Sequence, residues 1–278
     1  MTTLFATEGS FLLAAQQIVK ARKNRNFRSY FGTSPKVMAV AWNMFIHGST
    51  EALKFKHLLW ACMQLKIYGT ETVLAGIVGV VENTFRKFVW IVIPLLCGLV
   101  PRVMKLSGRF LDDKGRTCKL TVDCTDCMLL EPSPFSKKWY CFKHKCARYR
   151  YEVGVCIQTG YIVWINGPFK CGTWNDLSIF RRNLKHRLLP GEMVECDAGY
   201  RGDPKCRHKH IFLTDRDARA KARARARHEN VNSEIKKWKC TATPWRHERP
   251  KHKLCFGAVA VLTQIGFQVH GIPHHVTY

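Results

Sequence analysis

Three acidic residues stand where their carboxylates could hold divalent cations. Asp123 lies in a segment rich in Val, Cys and Thr, Asp197 directly follows a short run ending in Cys196, and Glu229 lies in a basic stretch. Mg²⁺ prefers oxygen ligands and keeps several waters, which leaves positions for a phosphate and an attacking hydroxyl. Two such ions about 3.5–4 Å apart stabilise the entering and leaving oxygens of an in-line displacement. We therefore expect two Mg²⁺ (or Mn²⁺) ions, with the acids as metal ligands and not as nucleophiles.

Asp126 is a second candidate for the first metal ligand. Side chains alternate between the two faces of a strand, so Asp123 and Asp126, three residues apart, should point to opposite sides of a regular strand. Only one of them can then reach the metals, and a β-bulge after Asp123 would weaken this argument.

We expect four further acids to have structural roles or to be exposed, and not to bind metal. Asp176 suits the first turn of a helix, where the helix dipole favours a negative charge. Glu152, Glu195 and Asp203 are expected to face solvent or structural arginines.

A cysteine-rich stretch offers a competing chemistry. Cys124 and Cys127, followed by Cys141, His144 and Cys146, have the ligand types and short spacings of a zinc site. The first two cysteines lie on a predicted strand and not in a loop, which favours reduced structural thiols.

The elements that must position the acids follow from hydrophobic periodicity. The segments rich in Val, Ile, Tyr and Cys predict strands, and apolar residues at helical spacing predict helices. The predicted strands are 119–129, 149–157, 161–165 and 192–196, and the predicted helices are 174–189 and 215–239. The first three strands form a predicted meander. The order β-β-β-α-β-α is that of an α/β, RNase H-like domain, with one acid on the first strand, one after the fourth and one on a later helix.

The helix with Glu229 is predicted to turn a face of small residues towards the sheet. This face contains Ala218, Ala222, Ala226, Asn232 and Ser233, and at 100° per residue it includes Glu229. A larger apolar stripe on the other side, formed by Ala224, Val231, Ile235 and Trp238, should meet another element. The same helix carries basic residues that could guide a phosphate backbone, and we expect DNA contacts from Arg223, Arg225, Arg227 and Lys236.

Upstream, residues 55–105 read as helical and contain the spacing of a helix-turn-helix. Thr70 offers an N-cap, and Ala75 stands four residues before Gly79, so that two helices could approach closely around a tight turn. In the second helix the outward-facing side chains Asn83, Arg86 and Lys87 are the expected DNA contacts. A helical hairpin that only packs against a neighbour has the same spacing.

The sequence thus divides into three expected segments. Residues 1–54 contain turn formers such as Pro35 and lack a sustained period, so they stay poorly defined. Residues 55–105 form the helical DNA-binding region, and residues 108–278 form the nuclease domain.

Charge identifies the class of partner. The formal net charge is +25, with 45 Lys and Arg against 20 Asp and Glu, which attracts polyanions such as nucleic acid. The longest apolar run, 88–100, is too short to span a membrane and contains Pro94, so no membrane partner is expected. Thirteen dispersed cysteines suggest reduced thiols, and two basic clusters (22–28 and 216–227) suit nuclear import or DNA contact.

Several motifs resemble one known family. The segments VDCTDC (122–127), ECDAGYRGD (195–203) and RHENVNSEIKKWK (227–239), with residues 150–181, resemble the PIF/Harbinger and IS5-like DDE transposases. In that family the first acid lies in a V-D-G-T motif, the second precedes Gly-Tyr, and the third lies in R-x-E-x-x-N. The resemblance assigns these roles to Asp123, Asp197 and Glu229, and it favours Asp123 over Asp126. Cys124 replaces the usual glycine, and Asp126 stands where histidine is common.

The resemblance implies a function. A transposase of this family cuts transposon ends and joins them to target DNA, with water or a DNA 3′-hydroxyl as the nucleophile. It also implies double-stranded DNA as substrate, a homo-oligomer on DNA, a separate DNA-binding partner protein and, in a eukaryote, the nucleus. Two alternatives are a transposase-derived DNA-binding protein without turnover and a zinc-dependent nucleic-acid-binding module.

Overall fold

The computed structural model describes residues 1–5, 8, 24–46, 52–111, 115–208 and 214–272. Among them, two compact units can be separated. The first contains the described residues up to Val103 together with 235–242 and 247–271, and the second contains those of 104–234 together with 243–246 and Ile272. Part of the expected segment 1–54, including part of its basic cluster at 22–28, lies outside the described residues.

The regular elements are assigned in chain order. The helices are α1 (Asn24–Phe31), α2 (Pro35–Phe45), α3 (Phe55–Ile67), α4 (Glu71–Val78), α5 (Glu82–Gly98), α6 (Val100–Val103), α7 (Asp176–Arg182), α8 (Asp215–Lys236), α9 (Lys239–Ala242) and α10 (Arg249–His270). The strands are β1 (Cys118–Met128), β2 (Tyr140–Cys141), β3 (Cys146–Cys156), β4 (Ile162–Lys170), β5 (Met193–Glu195) and β6 (Cys206–Arg207).

The second unit is built on a central mixed sheet. Strand β3 pairs antiparallel with both β1 and β4, so these three strands form the predicted meander, and the short β2 also pairs with β3. Strand β1 pairs in parallel with β5, which pairs in parallel with β6. The mixed α/β architecture predicted for this part of the chain is therefore confirmed.

Helices cover the two faces of this sheet because β1 alternates between them. Val122 packs in an apolar cluster with Phe180 of α7 and with Tyr200. The neighbouring Thr121 points to the other face, where its hydroxyl lies 2.8 Å from the His228 ring of α8. Successive residues of one strand thus contact α7 and α8 in turn.

Helix α7 is shorter than the predicted helix at 174–189. It begins where the Asn175 side chain accepts a hydrogen bond from the Ser178 amide at 2.8 Å, and it ends at Asn183, whose backbone leaves the helical region. A 3-10 turn, Leu184–Arg187, continues the chain and keeps Leu184 in the core. The helical spacing of apolar residues correctly predicted a helix here. The spacing does not show that the α-helix ends at Asn183 and continues as a 3-10 turn.

The first unit is helical, and its first two described long helices were not predicted. Helices α1 and α2 lie within the segment 1–54 that periodicity left undefined. Helix α2 begins with Ser34, whose hydroxyl accepts a hydrogen bond from the Val37 amide, and with Pro35 in the first turn. Ser before Pro is a typical helix start, so the sequence did contain this signal.

Helices α4 and α5 are joined by a tight turn. The Thr70 side chain caps α4 by accepting from the Val73 amide, and Gly79 ends it with a left-handed φ of 70°. Val81 precedes α5 and offers no side-chain cap. The two helices thus fall at the predicted positions of a helical hairpin, with glycine at the residue whose conformation disfavours other side chains.

The last helix, α10, packs within the first unit and not with the segment 108–278 to which sequence order assigned it. It passes so close to α5 that a Cβ on Gly257 would lie 2.5 Å from Cys97 Sγ. Most residues of α10 are buried, and most of these are apolar. The helix must therefore pack against other elements.

One helical stretch, Glu82–Phe110, is long and apolar enough by composition to cross a membrane. Phe85, Val89 and Ile93 of this stretch are fully buried, and 39% of its apolar 18-residue window is buried in the protein. A core helix of a globular unit satisfies the same criteria of length and composition.

Candidate metal-binding acidic cleft

The second unit contains a cleft formed by β1, the end of β5 and helix α8. Its lining includes all three acids selected from the sequence. The lining residues are Thr121, Val122, Asp123, Glu195, Cys196, Asp197, Arg225, His228 and Glu229. Because Asp123 and Glu229 are more than 100 residues apart along the chain, with Asp197 between them, only the fold brings the three acids together.

Strand register explains how Asp123 and Asp197 meet. Strands β1 and β5 run in parallel with Thr121 opposite Glu195. Asp123 and Asp197 each follow two residues later, so they lie at the same edge of the sheet and on the same face.

The Asp123 carboxylate is held in a strongly acidic environment. Its Oδ1 accepts a hydrogen bond from the Cys124 amide at 2.8 Å. Burial, together with the charges of Asp197, Glu229 and Asp176, raises the pKa of Asp123 to about 7 against the opposing effect of that hydrogen bond. A cluster of acids that repel one another in this way gains most when a cation neutralises them.

Asp197 is fixed by the turn that follows β5. Its Oδ1 accepts a hydrogen bond from the Gly199 amide at 2.8 Å, and it caps a short 3-10 turn, Ala198–Tyr200. Asp197 is half-buried. A Cβ on residue 199 would lie 2.9 Å from Asp197 Oδ1, so a larger residue there would force this carboxylate to shift.

Glu229 reaches the cleft through its neighbour on α8. The buried His228 ring contacts the Thr121 hydroxyl and so attaches the helix to β1 beside Asp123. Burial lowers the pKa of His228 to about 3, so this ring is neutral at physiological pH. Glu229 itself is exposed at the cleft rim.

The predicted packing face of α8 was wrong. Of the small-residue face, Ala218, Ala222, Ala226 and Ser233 are exposed, and only Asn232 is buried. Ala224 of the larger stripe instead packs with Cys118 and Ile157. Burial of apolar area outweighs the closer approach that small residues permit.

Asp126 does not line the cleft. Both of its carboxylate oxygens accept hydrogen bonds from Arg150, each at 2.8 Å. Its ion pair with Arg150 counters the effect of burial, and the pKa of Asp126 is held below its usual range. The pair lies on the α7 side of the sheet, where Arg150 also contacts Asp176 at 2.8 Å. Strand alternation therefore separates the two candidate aspartates.

The remaining acids have different environments. Asp203 is paired with Arg181 and Lys185, and Glu195 with Arg207 and Lys221, as structural ion pairs. Those two fit the sequence interpretation.

Glu152 does not fit it. The residue is fully buried and accepts a hydrogen bond from the Trp164 indole at 2.8 Å, so it faces neither solvent nor arginine. Burial raises the pKa of Glu152 to about 7.

Basic residues on α8 do not all serve the same purpose. Arg223 and Arg225 are exposed, and Arg225 lines the cleft. Arg227 is buried and donates to the Ile157 carbonyl at 2.7 Å, so its prediction as a DNA contact is corrected. Lys236 is half-buried and donates to the Thr241 carbonyl at 3.0 Å. His228, Thr121 and Arg150 were missed because their importance depends on contacts distant in sequence.

In the first unit, Asn83, Arg86 and Lys87 are exposed as expected. The Arg86 guanidinium forms ion pairs with Glu71 and Glu82 and a hydrogen bond to Asn83 at 3.1 Å. These contacts partly compensate its charge. The pair with Glu82 is largely exposed and contributes little stability, so a phosphate could replace it, whereas Glu71 is more buried.

The cysteines are not arranged as the zinc alternative required. Cys124 Sγ lies 3.5 Å from the Tyr200 hydroxyl on the α7 side of the sheet. Cys127, three residues later on β1, lies on the opposite face. Cys146 accepts a hydrogen bond from Arg148. All thirteen cysteines are free thiols.

A comparison with known families identifies one match. The family model of the DDE superfamily endonuclease matches residues 122–264, just over half of the chain, and this range includes all three cleft acids. No curated protein and no solved structure matches the chain significantly.

Proposed function

Because this chain belongs to the DDE superfamily endonuclease family, we propose that it is a metal-dependent DNA endonuclease. Its proposed metal ligands are Asp123, Asp197 and Glu229. The observation that supports this most directly is the convergence of these three carboxylates on one cleft. They come from a strand, the end of its parallel neighbour and a helix.

The donor set suits Mg²⁺ or Mn²⁺. All three candidate ligands are hard carboxylate oxygens, and the raised pKa of Asp123 reflects burial first and then the charges of the neighbouring acids, which a divalent cation would neutralise. When bound, such ions neutralise the scissile phosphate and activate a water or a DNA 3′-hydroxyl.

The chain's own residues keep the acids in place. The amides of Cys124 and Gly199 hold the carboxylates of Asp123 and Asp197 by hydrogen bonds of 2.8 Å. The contact of His228 with Thr121 keeps α8 beside β1. Arg225 at the cleft supplies a positive charge for a DNA phosphate without occupying the position of the acids.

We also propose a more specific fold, family group and activity for this chain. The order of strands and helices in the second unit supports an RNase H-like fold, and the motifs around the three acids support the PIF/Harbinger group. The hairpin of α4 and α5 supports DNA recognition by a helix-turn-helix through Asn83, Arg86 and Lys87. We extend the activity accordingly to cutting and joining of transposon ends by a homo-oligomer, with a partner protein, in the nucleus.

Mg²⁺-dependent nicking of DNA tests the nuclease proposal. We expect Asp123→Asn, Asp197→Asn and Glu229→Gln each to lower the nicking rate more than about 100-fold, because metal ligands matter at least as much as their outer partners. Glu234→Gln, on the same helix but outside the cleft lining, is the matched control and should nick at the wild-type rate.

Two outcomes would redirect the proposal. Nicking that persists in all three variants contradicts the assignment of these acids. Tight DNA binding without nicking by the wild-type protein, under any divalent cation, favours a transposase-derived DNA-binding protein instead. Strand transfer is tested separately on DNA that carries the element's own ends.

A further inference from the structure

A second group of metal-ligating side chains lies on the α7 side of the sheet, outside the acidic cleft. It consists of Asp126 on β1, Cys141 at the end of β2 and Cys171 directly after β4. The carboxylate oxygen and the two sulfurs all lie within 4.8 Å of one another. Three separate segments of the second unit therefore direct potential ligands to a single point.

The spacing of these atoms suits a tetrahedral Zn²⁺. Cys141 Sγ lies 3.4 Å from Asp126 Oδ2. A sulfur at about 2.3 Å and an oxygen at about 2.1 Å from a tetrahedral zinc lie about 3.6 Å apart. Small side-chain adjustments would therefore suffice to bring these two atoms into one coordination sphere.

The turn after Cys141 offers a fourth ligand. The amides of His144 and Lys145 both donate to the Cys141 carbonyl, at 3.1 and 2.8 Å, and Lys145 adopts a left-handed φ of 53°. This backbone reversal places the Cys141-x-x-His144 pair on one tight hairpin, the spacing of short zinc-binding turns. The His144 side chain is exposed and lies outside the group of three ligand atoms, so it would have to rotate towards them to bind a metal.

The surrounding charges are also suitable. Two thiolates and a carboxylate around Zn²⁺ leave one net negative charge. Arg150, which donates to both oxygens of Asp126, compensates that charge and orients the ligand as an outer partner.

We propose that Cys141, Cys171 and Asp126, with His144 as the fourth ligand, form a structural Zn²⁺ site that joins β1, the β2–β3 hairpin and the chain after β4. The site is independent of the nuclease proposal. Thiolates select zinc over Mg²⁺, whereas the cleft contains carboxylates.

Metal content of the wild-type protein is the first test. Protein produced with added zinc under reducing conditions, then dialysed against metal-free buffer, should retain one Zn²⁺ per chain by elemental analysis. The cobalt-substituted protein should show the near-ultraviolet charge-transfer absorption of thiolate ligands. These two measurements need no variant, so a misfolded mutant cannot obscure the result.

Variants then identify the ligands. Cys141→Ser and Cys171→Ser should each lose the zinc and the thiolate absorption, and Arg150→Gln should weaken zinc affinity about 10- to 100-fold. Cys97→Ser, in the first unit, is the control for loss of a half-buried thiol and should retain the metal. Asp123→Asn should also retain it, which separates this site from the cleft.

Three results would overturn the proposal. The first is wild-type protein that stays free of zinc after this treatment. The second is zinc that both cysteine variants retain. The third is a Cys141–Cys171 disulfide in protein freshly purified under reducing conditions, shown by an intact mass lower by two hydrogens.

Discussion

Crowding of carboxylates around Asp123 has opposite consequences for stability and for function. Burial and the neighbouring acids keep the pKa of Asp123 near 7 without metal, which means that its ionised form is costly in the folded protein. The same crowding makes the site receptive to a cation. The arrangement thus trades stability of the metal-free protein for metal affinity.

At this scale we expect Asp123→Asn to stabilise the metal-free protein at pH 8 while it abolishes nicking. The folded pKa is raised from 3.8 to about 7, so the contribution of Asp123 to stability is present at low pH and is lost as pH rises through about 7. Asparagine removes this loss, which is on the order of 1–4 kcal/mol. Urea unfolding at pH 5 and pH 8, with and without Mg²⁺, measures the difference.

A matched comparison makes the result specific. Glu152, whose pKa is also raised to about 7, is present in both the wild type and Asp123→Asn. It contributes equally to the stability of both proteins, so the difference between their stabilities is due to residue 123. A variant less stable than the wild type at pH 8 without metal would show that the charge is not the dominant effect.

Among the elements, close approach of helices decides where glycine is required. Helix α10 contains Gly257 and Gly266, which have the same intrinsic helix propensity but different surroundings. A Cβ at Gly257 meets Cys97 Sγ at 2.5 Å, whereas a Cβ at Gly266 has no heavy atom within 4 Å of it other than the helix's own neighbouring backbone. The two positions separate packing from helix propensity.

We therefore expect Gly257→Ala and Gly266→Ala to change stability in opposite directions. Overpacking at residue 257 should destabilise the protein by about 1–3 kcal/mol, because the Cys97 side chain or the α5 backbone that carries it must shift. At residue 266, alanine should stabilise it by about 0.5–1 kcal/mol, because alanine loses less backbone entropy in a helix. Thermal and denaturant unfolding measure both, and destabilisation of equal size would refute the packing argument.

For the whole molecule, the net charge of +25 sets how DNA is bound. Each phosphate neutralised steepens the dependence of log K on log salt by about 0.9 on duplex DNA. Exposed and buried arginines must differ in this respect, and α8 provides one of each two residues apart, Arg225 and Arg227.

Arg225→Gln should weaken duplex binding and lower the salt slope by about 0.9 if it contacts one phosphate. Arg227→Gln should leave that slope unchanged and lower stability instead, because Arg227 donates to the Ile157 carbonyl from a buried position. Fluorescence anisotropy over a salt series, with unfolding measured in parallel, distinguishes the two. Equal slopes for Arg225→Gln and the wild type would remove Arg225 from the DNA-binding surface.

Much of the second unit follows from the sequence because the signals are local. Alternation along β1 separates Asp123 from Asp126, and the apolar runs predict the meander of β1, β3 and β4, as the structure confirms. The motifs around the acids predict the endonuclease family that the match over residues 122–264 shows. The roles of the three acids stay predictions, although the fold brings them to one cleft.

Tertiary structure decided what depends on partners distant in the chain. Periodicity showed that α8 has two faces, but the fold buries the larger apolar one, and Ala224 of this face packs with Cys118 and Ile157. Arg225 and Arg227 look equivalent in sequence, yet rotation of the helix exposes one and buries the other. Likewise α10 joins the first unit, because its apolar face fits α5 and sequence order alone does not specify which surface covers a helix.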